Sequence, residues 1–127
     1  VRSQLAITAR ENYSNPPAHG SAIVATIFES EELTAMWREE LDEMRSRINN
    51  LRSDFVKALA PHGLDQRFAH VADQRGMFSF TGLQPEHVEA LRDRHSIYMV
   101  KSGRANVAGL NRANLDYVCN AIADVVK

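Results

Sequence analysis

The sequence predicts an α/β fold in which helices cover a small sheet, and three observations support this class. Apolar residues recur at spacings of three and four over one long stretch, which predicts a long amphipathic helix. After Leu64 the apolar period shortens, and the segments FAHVADQ, GMFSF and SIYMV are predicted to be strands. Helical patterns lie between and after those segments, so helices can be layered on the sheet as in an α/β or α+β sandwich.

Residues 1–30 are predicted to form two helices joined by the segment YSNPPAHG. The first helix covers residues 1–12. Two consecutive prolines remove backbone donors and push Asn15 out of the helical region, so the joining segment is extended or sharply turned. Pro17 can start the second helix, AHGSAIVATIF, which ends near Ser30. Because this helix is apolar on nearly all sides, we expect other protein to cover it.

The long amphipathic helix is predicted to run from Ser30, an N-cap residue, to about Ala60, just before a proline and a glycine. Its apolar seam predicts either packing on the sheet of the same chain or a coiled coil with a second chain. Large aromatic residues in the seam favour packing within the chain, and the coiled coil stays open as the alternative. The seam consists of Trp37, Leu41, Met44, Ile48, Leu51 and Phe55.

The second half of the chain is predicted to contain a hairpin, two helices, a further strand and, before the last helix, a short strand. FAHVADQ and GMFSF flank a turn at residues 74–76, and Pro85 starts a helix with Val88 and Leu91 facing inward. SIYMV is the third strand and leads into the segment SGRANVAGL. Asn111 is predicted to cap the last helix. The apolar stripe of that helix comprises Leu115, Val118, Ile122 and Val125.

Composition excludes several classes of function. With 15 basic and 16 acidic residues among 127, the net charge is −1, and the chain has no basic tract for nucleic acid. Its longest apolar-leaning run, SAIVATIF, is far shorter than the roughly 20 residues that span a bilayer. The five histidines lack the spacing of a metal site. We therefore expect no nucleic-acid, membrane or metal partner.

The single cysteine, Cys119, cannot form an intramolecular disulfide, which fits a reducing compartment and predicts a cytoplasmic protein. Its place on the apolar side of the last helix predicts a buried, unreactive thiol. The chain begins at Val1 with no visible signal peptide. This beginning suggests a piece of a longer protein or a trimmed form.

The strongest candidate for a binding residue is Arg104 in SGRANVAGL. Its guanidinium has a rigid fork of donors that matches the two oxygens of a carboxylate, and strand ends are where ligand contacts gather in open sheets. Small neighbours, Gly103 and Ala105, are expected to leave room for a ligand. A surface ion pair is the structural alternative for Arg104, and also for Arg10, a weaker candidate before the Pro-Pro turn.

Catalytic signatures are lacking. The three lysines, Lys57, Lys101 and Lys127, have no context that suggests an activated amine, and neither a glycine-rich phosphate loop nor a Ser-His-Asp arrangement can be found. By composition, Phe78 and Phe80 are expected in the core. From the residues alone, we predict that the chain recognises an anion and does not itself catalyse a reaction.

Four segments in this order, YSNPPAHG, LTAMWREEL, GMFSF and SGRANVAGL, resemble the C-terminal part of aspartate and aromatic-amino-acid aminotransferases. These are class I, fold-type I enzymes that depend on pyridoxal phosphate. The resemblance covers essentially the whole chain. Its most specific parts are YSNPP-HG and SGR-NVAG.

The resemblance implies a role for each matching residue. Arg104 corresponds to the arginine that clamps the α-carboxylate of the amino acid. Arg10 corresponds to the arginine that reaches across the homodimer to the distal carboxylate, with Ser14 and Asn15 adjoining that region at lower weight. Phe78 would line the substrate pocket. Both aspartate and aromatic amino acids stay open as substrates, with 2-oxo acids such as 2-oxoglutarate as acceptors.

The resemblance also implies a division of the parent enzyme. Residues 1–30 would pack on a large domain and on the dimer partner, and residues 31–127 would form the C-terminal small domain. The Schiff-base lysine, the aspartate facing the pyridine nitrogen and the phosphate-binding residues would precede Val1. The 127 residues alone are therefore predicted to bind no pyridoxal phosphate and to be inactive.

Two other readings remain open. The chain could be a stand-alone module that dimerises through the seam of the long helix, or a sensor that uses Arg104 to bind amino or keto acids.

Overall fold

The computed structural model describes residues 1–15 and 17–127, which form two compact units, residues 1–42 and 43–127. The predicted division after residue 30 concerns contacts of a longer chain and stays a prediction. The α-helices are α1 (Arg2–Tyr13), α2 (His19–Glu29), α3 (Glu31–Leu59), α4 (Asp65–Phe68), α5 (His70–Asp73), α6 (Pro85–His95) and α7 (Leu115–Val126). The strands are β1 (Phe78–Phe80) and β2 (Arg104–Asn106), and 3₁₀ turns cover Ala60–His62 and Val107–Gly109.

The first unit contains α1, α2 and the beginning of α3. The predicted first two helices are confirmed, although α2 begins at His19 and not at Pro17. The predicted turn at the proline pair involves Pro16, which lies outside the described residues. Ser30 caps α3 as predicted, since its hydroxyl accepts a hydrogen bond from Leu33 N at 3.3 Å. The Thr34 hydroxyl donates to the carbonyl of Ile27 at 2.8 Å and so fastens the end of α2.

The predicted long helix is confirmed as α3, but its apolar seam is divided. Leu51 and Phe55 are buried, and Ile48 is half-buried. The seam residues that precede them are exposed, namely Trp37, Leu41 and Met44. In the second unit, packing therefore uses the last part of the seam, and in the first unit Trp37 meets the Phe28 ring edge to face with centroids 5.3 Å apart.

The hydrophobic core of the second unit lies between the end of α3 and the helices α4 to α7. Phe55 and Phe68 meet edge to face with their ring centroids 5.9 Å apart. The predicted inward residues of α6, Val88 and Leu91, are buried, and Pro85 occupies the first turn as predicted. The other buried members of the core are Leu59, Val71, Leu83, Cys119, Ala121 and Ile122.

The sheet has two antiparallel strands among the described residues, with Phe78 opposite Asn106 and Phe80 opposite Arg104. Ser79 points inward, and its two neighbours in β1 point outward. The Gln74 side-chain amide covers the outer edge of β1. It accepts from Phe80 N at 2.8 Å and donates to Phe80 O at 2.9 Å, so this backbone is paired without a third strand.

Two predicted strands are wrong. FAHVADQ forms α4 and α5 because Phe68 and Val71, three residues apart, are both buried, as the helical period requires. Residues 96–100 have the alternating burial of a strand, with Ile97 and Met99 half-buried, but within the described residues they have no ladder partner. The structure is therefore a helix-rich member of the predicted class, with a smaller sheet than expected.

The predicted cap of the last helix is wrong by one turn. The Asn111 side chain accepts from the backbone N–H groups of Ala113 and Asn114 at 2.8 and 3.1 Å. It thus caps a turn that precedes α7, and the helix itself begins at Leu115. Across the described residues, no α-helix combines the length and the apolarity that crossing a bilayer requires.

Cys119 is buried in α7 with 1% of its surface exposed, as predicted. Burial, helped by the charge of Asp116, raises the pKa of the Cys119 thiol to about 12. A thiol with such a pKa is almost entirely protonated at neutral pH and is a poor nucleophile.

We expect the two parts of the α3 seam to respond differently to truncation. Phe55→Ala should lower the free energy of unfolding by about 3–5 kcal/mol, because it leaves a cavity in the core. Leu41→Ala should change it by less than about 0.5 kcal/mol, because that side chain is already exposed. Urea unfolding of both variants checks this. Equal losses would show that the whole seam is covered, as in the coiled-coil alternative.

The Cys119 thiol should also make stability depend on alkaline pH. The folded state favours the protonated thiol, so its contribution is complete below the ordinary pKa of 9.0 and is lost as pH rises toward about 12. Iodoacetamide should therefore label the native chain very slowly at pH 8 and the urea-unfolded chain readily. Cys119→Ala should flatten the stability profile between pH 9.0 and about 12. Rapid labelling of the native chain would contradict the buried position.

Candidate functional site

Arg104 is the first residue of β2, and its exposed side chain lies on the outward face of the sheet. Its guanidinium carbon is 4.9 Å from the centroid of the Phe78 ring, which is a cation–π contact. None of the carboxylates among the described residues forms an ion pair with Arg104. The fork of donors is therefore held by an aromatic face and remains available to an anion.

Arg104 begins the short strand that was predicted to follow SIYMV. Phe78 and Phe80 differ from the prediction by composition, because they are 45% and 57% exposed and do not belong to the core. The outward face of β1 is thus an exposed aromatic surface beside a cation.

The expectation that Gly103 leaves room for a ligand is wrong. Gly103 is buried, has a φ of +74°, and an added Cβ would lie 2.6 Å from the carbonyl oxygen of Leu83. Its carbonyl accepts from Thr81 N at 3.0 Å and from the Thr81 hydroxyl at 2.8 Å. Glycine is required here because two backbone segments of the protein approach each other. Ala105 lies half-buried on the inward side of β2 and lines a cavity, so the expectation is not contradicted for this residue.

A second arginine, Arg52 of α3, is only 1% exposed and contacts the segment that leads into β1. Its Nη1 donates to Val71 O at 3.3 Å and to the Ser79 hydroxyl, and its Nη2 donates to Gly76 O and, at 3.2 Å, to Phe78 O. Burial lowers the pKa of the Arg52 guanidinium, which nevertheless stays charged at neutral pH. Within the described part of the chain, its buried Nε has no hydrogen-bond partner.

The energetics of Arg52 are finely balanced. Burying an ion costs several kcal/mol, and hydrogen bonds to a charged group return about 1.5–3 kcal/mol each. Arg52 is not among the residues predicted from the sequence. The sequence spacing could have singled it out. Arg52 is four residues after Ile48 and three before Phe55, so it lies on the buried face of a helix, where a charge is unusual.

Arg47, also on α3, contacts the chain just after β2. Its Nη2 donates to the carbonyls of Ala108 and Leu110 at 3.3 and 3.2 Å. The Asn106 side chain accepts from Ala108 N at 3.1 Å and caps the same turn. The residues that follow Arg104 are thereby fixed by side chains on both sides.

A cavity of about 590 Å³ lies inside the second unit, next to Arg104 and Phe78. Its lining is mostly apolar and includes Ile97, Met99 and Leu83. Two arginines, Arg104 and Arg52, are the charged groups of this lining. Charged groups in a mostly apolar enclosure are the usual composition of a site for a small organic anion.

The other predicted site residues belong to the first unit. Arg10 is exposed in the last turn of α1. Ser14 follows the helix with a φ of +58°, which is uncommon for a residue other than glycine, and its N–H donates to Arg10 O at 2.9 Å. Asn15 is exposed. The structure thus brings Arg104 and Phe78 together, and the three residues of the first unit form a separate group at the end of α1.

The described residues contain no group of three histidine, cysteine or acidic side chains that could hold a metal ion. Two of the lysines are exposed and paired, Lys57 with Asp54 at 3.7 Å and Lys101 with Glu89 at 2.8 Å. The Lys101 ammonium lowers the pKa of the Glu89 carboxyl. Neither lysine has the apolar surroundings that would activate an amine.

Comparison with known proteins identifies a family. The family model described as aminotransferase class I and II matches residues 1–122. The chain is 58% identical over 125 residues to an aromatic-amino-acid aminotransferase of Pseudomonas aeruginosa and 46% identical over 124 residues to an aspartate aminotransferase of Escherichia coli. It covers 31% of each of these relatives, which in turn match 98% of the chain.

Comparison with solved structures leads to the same family. An aromatic-amino-acid aminotransferase from Burkholderia pseudomallei, covalently bound to pyridoxal phosphate, matches with a TM-score of 0.94 and 50% identity. A mitochondrial aspartate aminotransferase from Trypanosoma brucei matches with a TM-score of 0.93 and 44% identity. The alignments cover 98% of this chain and 31% and 33% of those chains. The chain therefore spans about a third of the length of the relatives it matches.

The close approach at Gly103 predicts a large effect of a single methyl group. Gly103→Ala should destabilise the chain by at least about 1–3 kcal/mol, the cost of a positive φ outside glycine, with the clash against Leu83 O in addition. Gly109→Ala is the matched control, because nothing lies within 4 Å of its added Cβ, and should change stability by less than about 0.5 kcal/mol. Thermal unfolding measures both. Equal stability of the two variants would contradict the packing described.

Proposed function

Because the chain belongs to the class I and II aminotransferase family, we propose that it is the C-terminal, substrate-binding part of a pyridoxal-phosphate-dependent aminotransferase. The parent would transfer amino groups between aromatic or acidic amino acids and 2-oxo acids such as 2-oxoglutarate. The observation that carries this proposal is the guanidinium of Arg104, which lies over the Phe78 ring beside a cavity and has no carboxylate partner among the described residues.

Arg104 would bind the α-carboxylate that every amino acid and 2-oxo acid shares. Two parallel N–H···O bonds fix the direction of the carboxylate as well as its position, so they orient the neighbouring α-carbon. Phe78 supports this role because its ring supports one face of the guanidinium without competing for its donors. The same ring would form part of the substrate pocket.

Arg10 would bind the distal carboxylate of an acidic substrate across a homodimer, with Ser14 and Asn15 beside it. Its exposure at the end of α1 supports this role. Residues 1–30 would pack on the large domain and the dimer partner, and residues 31–127 would form the small domain. Exposed apolar side chains in the first two helices favour such covering surfaces, among them Leu5, Ile7, Ile23, Val24 and Phe28.

The described residues do not fit the cofactor by themselves. The exposed, paired Lys57 and Lys101 are not suited to a Schiff base. The sequence also contains no glycine-rich phosphate loop. We propose that the groups which hold pyridoxal phosphate belong to the remaining length that the relatives have and this chain does not span. The 127 residues alone should therefore be inactive. A cytoplasmic location stays a prediction from the lone cysteine.

The proposed role of Arg104 is tested by kinetics of the full-length protein. Arg104→Lys keeps the charge and loses the fork, and should lower kcat/KM for both aspartate and phenylalanine by about 30- to 5,000-fold, corresponding to the roughly 2–5 kcal/mol of a truncated charge pair. Arg92→Lys is the control, since Arg92 is an exposed arginine whose ion pair among the described residues is with Asp93. Unchanged kinetics of Arg104→Lys would overturn the proposal.

Arg10→Met distinguishes the role of the distal carboxylate from that of the α-carboxylate in the same assay. It should lower kcat/KM for aspartate and leave phenylalanine nearly unaffected, because only the acidic substrate has a distal carboxylate. Equal losses for both substrates would assign Arg10 to a different role.

A further inference from the structure

We propose that Arg52 is a positioning residue for the carboxylate site, acting through β1 on Phe78 and Arg104. This inference rests on the proposed function, because the site in question is the one assigned to the substrate carboxylate. Arg52 is buried beside Ser79 on the inward side of β1, and it lines the same cavity as Arg104.

The contacts of Arg52 converge on the backbone around Phe78. It donates to the carbonyls of Gly76 and Phe78 and to the hydroxyl of Ser79. Since side chains alternate along a strand, holding Ser79 on the inner face fixes the Phe78 ring on the outer face. The ring is the surface on which the Arg104 guanidinium lies.

The position of Arg104 depends on the pairing of the two strands. Arg104 is the first residue of β2 and lies opposite Phe80, so a shift of β1 would move Phe78 relative to Arg104. Arg47, five residues before Arg52 on the same helix, fixes the turn after β2 through the carbonyls of Ala108 and Leu110. One helix therefore sets the backbone on both sides of the candidate site.

The choice of an arginine supports positioning over simple stability. The acceptors are three carbonyls and one hydroxyl, spread over residues 71–79, and only a guanidinium has enough donors in a fork to reach them together. Its Nε is buried without a partner in the described part of the chain, which is a cost that an apolar side chain would avoid. Such a costly group is expected where the location of a backbone segment matters.

A double-mutant cycle in the full-length enzyme tests the inference. Arg52→Met should raise KM for aspartate and phenylalanine by about 10- to 100-fold, since a displacement near 1 Å costs this much at a substrate site. Ser79→Ala removes only one of the acceptors of Arg52, so it is a milder change and should raise KM by a smaller factor. In an Arg104→Lys background, Arg52→Met should have little further effect, because both changes act on one interaction.

Leu59→Ala is the control for a merely structural role. Leu59 is fully buried in the same helix but makes no contact with β1 among the hydrogen bonds described, so it should lower the melting temperature and leave KM unchanged. Unchanged KM in Ser79→Ala, or full additivity of Arg52→Met with Arg104→Lys, would overturn the inference. If Arg52→Met does not fold, the same KM comparison is made with Ser79→Ala, alone and combined with Arg104→Lys. Absence of transamination in the wild-type enzyme would instead refute the proposed function.

Discussion

The second unit depends on the buried guanidinium of Arg52. A charge inside a small core is stable only where its donors find acceptors, and here the acceptors are backbone carbonyls on either side of the turn before β1. Through these bonds the end of α3 is joined directly to the backbone around β1. The consequence extends to the surface, because a strand of three residues has too few ladder bonds to fix its own position. Side chains from α3 and the Gln74 amide at its outer edge supply what the short sheet lacks.

The surroundings of Arg104 on this sheet are unusual for an exposed cation. Cations on protein surfaces are commonly paired with nearby acids, as Arg92 is with Asp93. Arg104 lies instead on an aromatic ring, which holds the guanidinium in place yet leaves its N–H edge unused. A receptor for a carboxylate needs both properties, since a permanent ion pair would compete with the ligand and a mobile side chain would lose entropy on binding it. The adjacent apolar cavity adds a low-dielectric environment in which such a bond is stronger.

Helical periodicity was enough to predict α3, α6 and α7, because burial on one side of a helix is recorded in the local sequence. Short apolar runs were not sufficient. FAHVADQ was predicted to be a strand although Phe68 and Val71 need only one helical turn to be buried, and SIYMV has the right alternation but no ladder partner within the described residues. Whether a strand is paired depends on segments that are distant in the sequence, so the local pattern does not record it. For the same reason Arg104 was found from its own neighbours and by family resemblance, whereas Arg52 was missed, since its partners lie 19 to 27 residues away.

The central claim is that Arg104, supported by Phe78, is a free receptor for the substrate carboxylate. A crystal structure of the full-length protein with a bound substrate analogue such as maleate tests it most directly. The account predicts that two oxygens of one carboxylate lie about 2.7–2.9 Å from two nitrogens of Arg104, with the Phe78 ring beneath the guanidinium. It would be contradicted if Arg104 were paired with a carboxylate of the protein while the ligand was bound by other groups.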